Sequence, residues 1–297
     1  MTQLAPHRAS RVVFTVDGSP VAGRDASPSG HRTHGTALFV PGYTGSKEDF
    51  APLFDPLTAA GYRVVAIDQP GQFESPGPDS PLGYTVERLS GVVRAVATAL
   101  GDGPVHLVGH SFGGLVSRAA VLAAPTEFRS LTLLCSGPDA IIGARRDRMA
   151  RLEALLPLGM PAVYEAVEES ARLDPKWRDT SPELKEFLKK RFIASSAAAL
   201  RGMGDALISE PDRTGALAAT GVPVLVCHGA NDDAWLPPVQ AEMAHRLGAQ
   251  HVVIPDAAHS PAIENPAPTV AALERFWSSV DGSQRAIPTA AVHTDNQ

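Results

Sequence analysis

Ser111 lies at the centre of the run Gly-His-Ser-Phe-Gly, residues 109–113, which is a Gly-x-Ser-x-Gly pattern. An apolar run at residues 105–108 predicts a strand before it, and residues 112–124 have helical spacing after it. A serine on a sharp strand-to-helix turn has its hydroxyl lifted clear of the sheet, and flanking glycines leave room for neighbouring backbone. The pattern predicts a nucleophilic serine; the alternative is a glycine-rich turn whose serine caps a helix.

A serine hydroxyl is a weak nucleophile that needs a histidine base, which an acid holds in turn. His259 follows the last predicted strand, residues 251–254, and we interpret it as the base. Loops at the carboxyl ends of parallel strands open onto one edge of a sheet, where Ser111 also lies. His31 and His34 suggest a metal pair, but no third ligand accompanies them, and we predict no metal site.

Three aspartates are candidates for the acid that orients the base. Asp232 and Asp233 both follow a predicted strand at residues 222–227, and Asp139 follows the strand at residues 130–135. Chain order of nucleophile, acid and base is compatible with all three. We take Asp232 as the first candidate and Asp233 as its main rival, and the residues themselves leave this choice open.

The oxyanion of a tetrahedral intermediate needs at least two N–H donors. One is the backbone amide of Phe112, directly after the predicted nucleophile. The second is the backbone amide of Tyr43, in the loop after the strand at residues 36–40. Gly42 precedes it and allows the backbone to approach a substrate closely.

Eight short apolar runs are predicted as the strands that position these residues. They are residues 11–16, 19–21, 36–40, 62–67, 105–108, 130–135, 222–227 and 251–254. Helical patterns separate most of them, which predicts a mostly parallel sheet with helices on both faces. The first two form a hairpin around Asp17-Gly18, and residues 22–35 are predicted as a loop.

Residues 138–213 break the alternation, because they contain charged helical patterns and lack β-branched runs. We predict an α/β core formed by residues 11–137 and 214–280, with residues 138–213 as an inserted helical cap. Residues 281–297 are small and polar, and we expect a disordered tail there. Five apolar side chains of the insertion either line a pocket or form its own core: Leu155, Leu156, Met160, Tyr164 and Met203.

The composition of the 297 residues excludes several functional classes. Apolar residues make up 44%, and the net charge is −6, without a basic cluster that would indicate nucleic-acid binding. No apolar stretch reaches the roughly 20 residues of a membrane span, and we expect no secretory signal in the first dozen residues. The two cysteines, Cys135 and Cys227, lie in apolar runs, which favours buried thiols and a cytoplasmic location.

The serine motif, the later histidine and the glycine-containing loop together resemble the α/β-hydrolase superfamily, over about residues 11–280. The resemblance implies an eight-stranded core, and its Gly-x-x-Asp spacing favours Asp232 as the acid. Relatives that act as dehalogenases or epoxide hydrolases have an aspartate where Ser111 stands. Residues 68–75 are similar to the family's Asp-x-Arg-Gly-x-Gly-x-Ser stretch, with Pro70 and Phe73 replacing its arginine and second glycine.

The predicted reaction is hydrolysis of a carboxylic ester, or of a thioester or lactone, through an acyl-enzyme on Ser111. It needs a small-molecule acyl substrate and no cofactor. The same triad also suits carbon–carbon bond hydrolysis or a cofactor-free elimination. A ligand-binding receptor with vestigial activity is a further alternative, and the sequence does not indicate an oligomeric state.

Overall fold

Eight strands form one sheet in the computed structural model, which describes residues 3–30 and 33–285. They are β1 (Ser10–Val16), β2 (Ser19–Ala26), β3 (Gly35–Val40), β4 (Tyr62–Ile67), β5 (Val105–His110), β6 (Phe128–Leu134), β7 (Val224–Gly229) and β8 (Gln250–Ile254). The order across the sheet is β1-β2-β4-β3-β5-β6-β7-β8. The pairings β1–β2 and β2–β4 are antiparallel, and the other five are parallel. The predicted eight-stranded, mostly parallel α/β fold is confirmed.

The first two strands form the predicted hairpin. Asp17 and Gly18 have φ angles of 48° and 78°, as a tight two-residue turn between twisted strands requires. The predicted loop over residues 22–35 is wrong for residues 22–26, where β2 continues. The second half of β2 pairs with β4, and this backbone pairing outweighs a local composition that suggests a loop.

Twelve α-helices accompany the strands in the described part of the chain. They are α1 (Ala51–Ala59), α2 (Val86–Leu100), α3 (Phe112–Ala123), α4 (Gly143–Glu153), α5 (Met160–Ala171), α6 (Pro175–Arg178), α7 (Pro182–Ala194), α8 (Ala197–Leu207), α9 (Thr214–Ala218), α10 (Pro237–Leu247), α11 (Pro261–Glu264) and α12 (Pro266–Arg285). Short 3-10 helices lie at Lys47–Phe50, Pro81–Tyr84, Pro125–Glu127 and Leu156–Leu158.

Two hydrophobic clusters cover the two faces of the sheet. Alternate residues of β3 divide between them, because successive side chains of a strand point to opposite faces. Leu38 and Val40 pack with α2, α3 and α10 on one face, whereas Ala37 and Phe39 pack with α1 and α12 on the other. Both faces are therefore buried, as a parallel sheet with crossover helices demands.

Helices α4 to α8 lie between β6 and β7, within the segment predicted as an insertion. They enclose a small apolar cluster of their own, to which Met160, Val163, Tyr164, Phe192 and Leu200 belong. Part of α8 packs instead on the main cluster, through Ala199, Met203 and Leu207. The division of the chain into a core and a separate cap at residues 138 and 213 stays a prediction.

The last helix is longer than predicted. A tail from residue 281 onward is wrong for residues 281–285, which continue α12. The Asp281 carboxylate lies 3.0 Å from Nη1 of Arg129 and 3.5 Å from Nε2 of His106, and these contacts hold the helix end against the sheet. The rest of the predicted tail, residues 286–297, lies outside the described residues. No helix within residues 3–30 and 33–285 combines the length and apolarity that a membrane crossing needs.

Candidate active site

The turn between β5 and α3 holds Ser111 in a strained conformation, with φ of 53° and ψ of −120°. A positive φ is rare for a residue with a Cβ and persists only where the surroundings impose it. A Cβ on Gly109 would lie 2.6 Å from Cα of Gly114, and one on Gly113 would collide with the carbonyl of Val40. Glycine is therefore required on both sides of the serine, as the motif predicted.

His259 lies in the loop after β8 and connects Ser111 to Asp232. Its Nε2 is 2.9 Å from Oγ of Ser111, and its Nδ1 is 2.8 Å from Oδ1 of Asp232. A carboxylate only accepts hydrogen bonds, so Nδ1–H donates to Asp232 and Nε2 is left to accept the serine proton. The ends of β5, β7 and β8 thus bring three predicted residues into one hydrogen-bonded chain.

Asp232 is buried, at 2% exposure, and its carboxylate has three donors. Besides His259, the Ala234 amide donates to Oδ1 at 2.9 Å and Nε2 of Gln240 donates to Oδ2 at 2.8 Å. Burial raises the pKa of this carboxyl group, but these hydrogen bonds outweigh burial and hold the pKa below its ordinary value. The group therefore stays ionised beside His259.

The two rival aspartates have other partners. Asp233 forms an ion pair with the guanidinium of Arg145 on α4, and its side chain is 57% exposed. Asp139 contributes its backbone carbonyl, which accepts from Nε1 of Trp235 at 3.1 Å. Of the three candidates, the structure brings Asp232 to His259.

The loop after β3 lies directly against the nucleophile. A Cβ on Gly42 would stand 3.1 Å from Cβ of Ser111, so the residue before Tyr43 lies directly against the serine. Phe112 begins α3, and the first N–H groups of a helix have no acceptor within that helix. That the amides of Tyr43 and Phe112 bind an oxyanion stays a prediction.

Two buried glutamines hold this loop, and the sequence did not indicate their function. Nε2 of Gln72 donates to the carbonyls of Gly42 and Tyr43, at 2.7 and 3.1 Å. Nε2 of Gln69 donates to the carbonyl of Pro41 at 2.9 Å. Both glutamines lie within residues 68–75. The replacements at Pro70 and Phe73 were the signal in the sequence that this segment differs from the family pattern.

His110 and Cys135 complete the buried surroundings of the triad. Nε2 of His110 donates to the backbone carbonyl of His259 at 2.7 Å, and burial together with the nearby His259 lowers the pKa of His110 to about 4. Sγ of Cys135 lies 3.7 Å from the carbonyl of Ala258. Cys135, Asp232 and His259 have possible metal-ligand atoms within 4.8 Å of one another, but Asp232 and His259 are already hydrogen-bonded to each other. The contact of His110 with the His259 carbonyl ties the end of β5 to the loop that carries His259.

A small cavity lies between this loop and the helical insertion. Tyr43, Met160 and Met203 are among its lining residues. The other three apolar residues considered from the sequence pack in the core of the insertion: Leu155, Leu156 and Tyr164. The Tyr43 hydroxyl donates to the carbonyl of Leu200 at 2.6 Å, which ties the loop to α8. Of the two histidines considered and rejected as a metal pair, His34 packs edge-on against Tyr62, and His31 lies outside the described residues.

A serine on a strand-to-helix turn, followed by an aspartate and a histidine at later strand ends, defines the α/β-hydrolase class of fold and site. The chain belongs to the alpha/beta hydrolase family, whose family model matches residues 37–272. The resemblance stated from the sequence is thereby confirmed.

Two curated proteins and one solved structure are similar to the chain. It is 28% identical, over 77% of its length, to the dihydrolipoyllysine-residue acetyltransferase component of the acetoin cleaving system from Cupriavidus necator, but covers only 60% of that protein. It is 29% identical over 79% of its length to pimeloyl-[acyl-carrier protein] methyl ester esterase from Stenotrophomonas maltophilia, and covers 91% of it. The structure of a thermophilic esterase from Thermogutta terrifontis superposes with a TM-score of 0.75 at 22% identity, over 93% of this chain and 100% of that one.

Proposed function

We propose that this chain is a serine hydrolase that cleaves a carboxylic ester, or a related thioester or lactone, through an acyl-enzyme on Ser111. The observation that carries the proposal is the continuous hydrogen-bonded chain from Asp232 through His259 to Ser111, with contacts of 2.8 and 2.9 Å. The names of the relatives support the ester bond as the target, because one is a methyl ester esterase and another is an esterase.

Each residue has a defined function in this reaction, and His259 acts in both of its halves. Oγ of Ser111 attacks the acyl carbon while Nε2 of His259 takes its proton. The resulting oxyanion accepts hydrogen bonds from the amides of Tyr43 and Phe112, and ionised Asp232 stabilises the imidazolium. His259 then protonates the leaving alcohol, and the same base activates the water that releases the acid.

The test compares wild-type protein with Ser111→Ala on a series of short activated esters and thioesters. We expect the variant to lose turnover by at least about a thousandfold, because the remaining groups offer no nucleophile. An active-site serine probe should label the wild type and leave the variant unlabelled. Retained turnover in a folded Ser111→Ala protein would refute the proposal.

We also propose a cytoplasmic location for the chain. Cys135 and Cys227 are both buried and free, which suits a reducing compartment. The test is to fractionate cells of the native host and to detect the protein in each fraction. Recovery in a secreted or envelope fraction would contradict it.

A further inference from the structure

The side chain of Gln72 bridges two segments beside the nucleophile, and it is buried, at 2% exposure. Its Nε2 lies 2.7 Å from the carbonyl oxygen of Gly42, and its Oε1 accepts from the backbone amide of Gln69 at 3.1 Å. The amide group is thus engaged at both ends, which fixes the direction in which Nε2 points.

The carbonyl of Gly42 and the amide of Tyr43 belong to the same peptide unit. In a trans peptide the C=O and N–H bonds point in opposite directions, so a donor that fixes one also fixes the other. A hydrogen bond to the carbonyl further polarises the N–H on the far side. Gln72 therefore acts on the Tyr43 N–H without touching a substrate.

The Gly42–Tyr43 peptide needs a hydrogen bond from outside its loop because the residue on its N-terminal side is glycine. Glycine has more backbone freedom than any other residue, and rotation about its Cα–C bond swings the following peptide plane. A side chain at position 42 would press on Cβ of Ser111, at 3.1 Å, so a stiffer residue is not available there. Within the loop, the Gly45 amide donates to the Gly42 carbonyl at 3.1 Å, and Nε2 of Gln72 adds a second and shorter hydrogen bond from outside the loop.

Gln72 itself stands on a firmly anchored segment. Asp68 accepts from the backbone N of Lys47 at 2.8 Å and from its Nζ at 2.7 Å, with all three groups buried. The carbonyl of Gly71 accepts from the amide of Ser196 at the start of α8, at 2.8 Å. The glutamine is therefore held from both the core and the insertion.

We propose that Gln72 is a positioning residue that orients the Tyr43 amide toward the oxyanion formed at Ser111. The proposal rests on the proposed acyl transfer at Ser111, and it adds a residue whose function is to fix one peptide plane. Gln69 is the natural comparison, because it is equally buried and donates to the carbonyl of Pro41, whose peptide carries the N–H of Gly42 instead.

The experiment measures how fast a fluorophosphonate probe labels Ser111, with mass spectrometry of the serine-containing peptide as the readout. Ser111 Oγ bonds to phosphorus while its proton passes to Nε2 of His259, the P–F bond breaks and fluoride leaves, and the phosphoryl oxygen takes the oxyanion position. We expect Gln72→Met to lower the labelling rate constant by about 10–100-fold, somewhat less than deletion of an oxyanion donor. Gln69→Met should lower it by less than about threefold at a comparable unfolding midpoint.

Gln72→Glu adds a readout that a purely structural function would not move. A protonated carboxyl group can still donate to the Gly42 carbonyl, whereas the carboxylate would repel it. Burial raises the pKa of such a group. The labelling rate of Gln72→Glu, divided by that of wild type, should therefore fall as the pH rises from about 5 to about 9, roughly the range of a carboxyl pKa raised by burial. The corresponding ratio for Gln72→Met should not change with pH.

Several results would overturn the inference. They are an unlabelled wild type, wild-type labelling by folded Gln72→Met, an equal loss in Gln69→Met, or a flat pH ratio for Gln72→Glu. If Gln72→Met does not fold, the isosteric Gln72→Glu decides. Labelling does not require an ester substrate, so a wild type that labels but hydrolyses no ester refutes the proposed function alone.

Discussion

Two adjacent aspartates at the end of β7 have opposite surroundings. Asp232 is buried and accepts from His259, Ala234 and Gln240, whereas the Asp233 side chain is 57% exposed beside Arg145. Residue type does not distinguish them, and the one sequence signal was the Gly-x-x-Asp spacing of the family resemblance, which favours Asp232. The direction in which the turn points each side chain distinguishes them, and that depends on the complete fold.

Conversion of each aspartate to asparagine separates their functions. Asp232→Asn leaves the shape intact but removes the acceptor that selects the correct tautomer of His259, so kcat should fall about 10³–10⁴-fold. Asp233→Asn removes one exposed ion pair and should change kcat by less than about threefold. The measurement is steady-state turnover of an activated ester, and a larger loss in Asp233→Asn would contradict the assignment.

His110 should make the stability of the protein depend on pH. Its pKa is about 4 in the folded state against 6.5 ordinarily, because burial and His259 disfavour its charged form. Between these values the unfolded chain binds more protons, so the free energy of unfolding falls as the pH drops from about 6.5 to about 4. The loss from this residue amounts to about 3 kcal/mol at the acid end.

Urea unfolding of wild type and His110→Gln at several pH values checks this. Glutamine retains an N–H donor for the His259 carbonyl but does not titrate. We expect His110→Gln to lose less stability than wild type between pH 6.5, the ordinary pKa of a histidine, and about pH 4, the pKa of His110 in the folded protein. Parallel curves would show that His110 does not carry the effect.

At the scale of elements, Arg118 on α3 holds both ends of the helical insertion. Its guanidinium donates to the carbonyl of Pro138, where the insertion begins, and pairs with Glu210 at 3.0 Å, where it ends. Arg118 is buried, at 1% exposure. The helix that follows the nucleophile therefore also fixes the position of the insertion.

Arg118→Met should destabilise the protein by about 3 kcal/mol, at the low end for a broken buried pair, because Glu210 stays buried with Arg213 at 3.2 Å as its remaining charged partner. Arg94→Met is the matched control: Arg94 lies on α2 and pairs with Glu127 at 2.7 Å, but its side chain is 37% exposed. Loss of that pair should cost less than about 1 kcal/mol. Urea unfolding measures both, and equal losses would contradict the assigned importance of the buried pair.

The parallel strands were predictable from the sequence because apolar runs and crossover helices follow one another regularly. β4 has the predicted bounds, residues 62–67. The errors fall at edges: β2 continues past residue 22, and α12 continues to Arg285. In both places polar residues are ordered by partners distant in the chain, which local composition cannot reveal.

At the scale of the whole molecule, the site residues lie far apart in sequence and meet at one edge of the sheet. The motif around Ser111 and the position of His259 could be predicted from the sequence, since Ser111 directly follows β5 and His259 lies in the loop after β8. The function of Gln72 could not, because it depends on a side chain crossing from the β4 loop to the β3 loop. A pairing of two loops leaves no periodic signal in either.

The central claim is that Ser111 carries the acyl group, and trapping that intermediate tests it most directly. Wild-type protein is mixed with a slowly deacylating activated ester, quenched in acid, digested, and analysed by mass spectrometry. We predict that the peptide containing Ser111 gains the mass of one acyl group, and that Ser111→Ala gains none anywhere. A folded wild type that turns over the ester without acylating this peptide, or acylates another residue instead, would contradict the account.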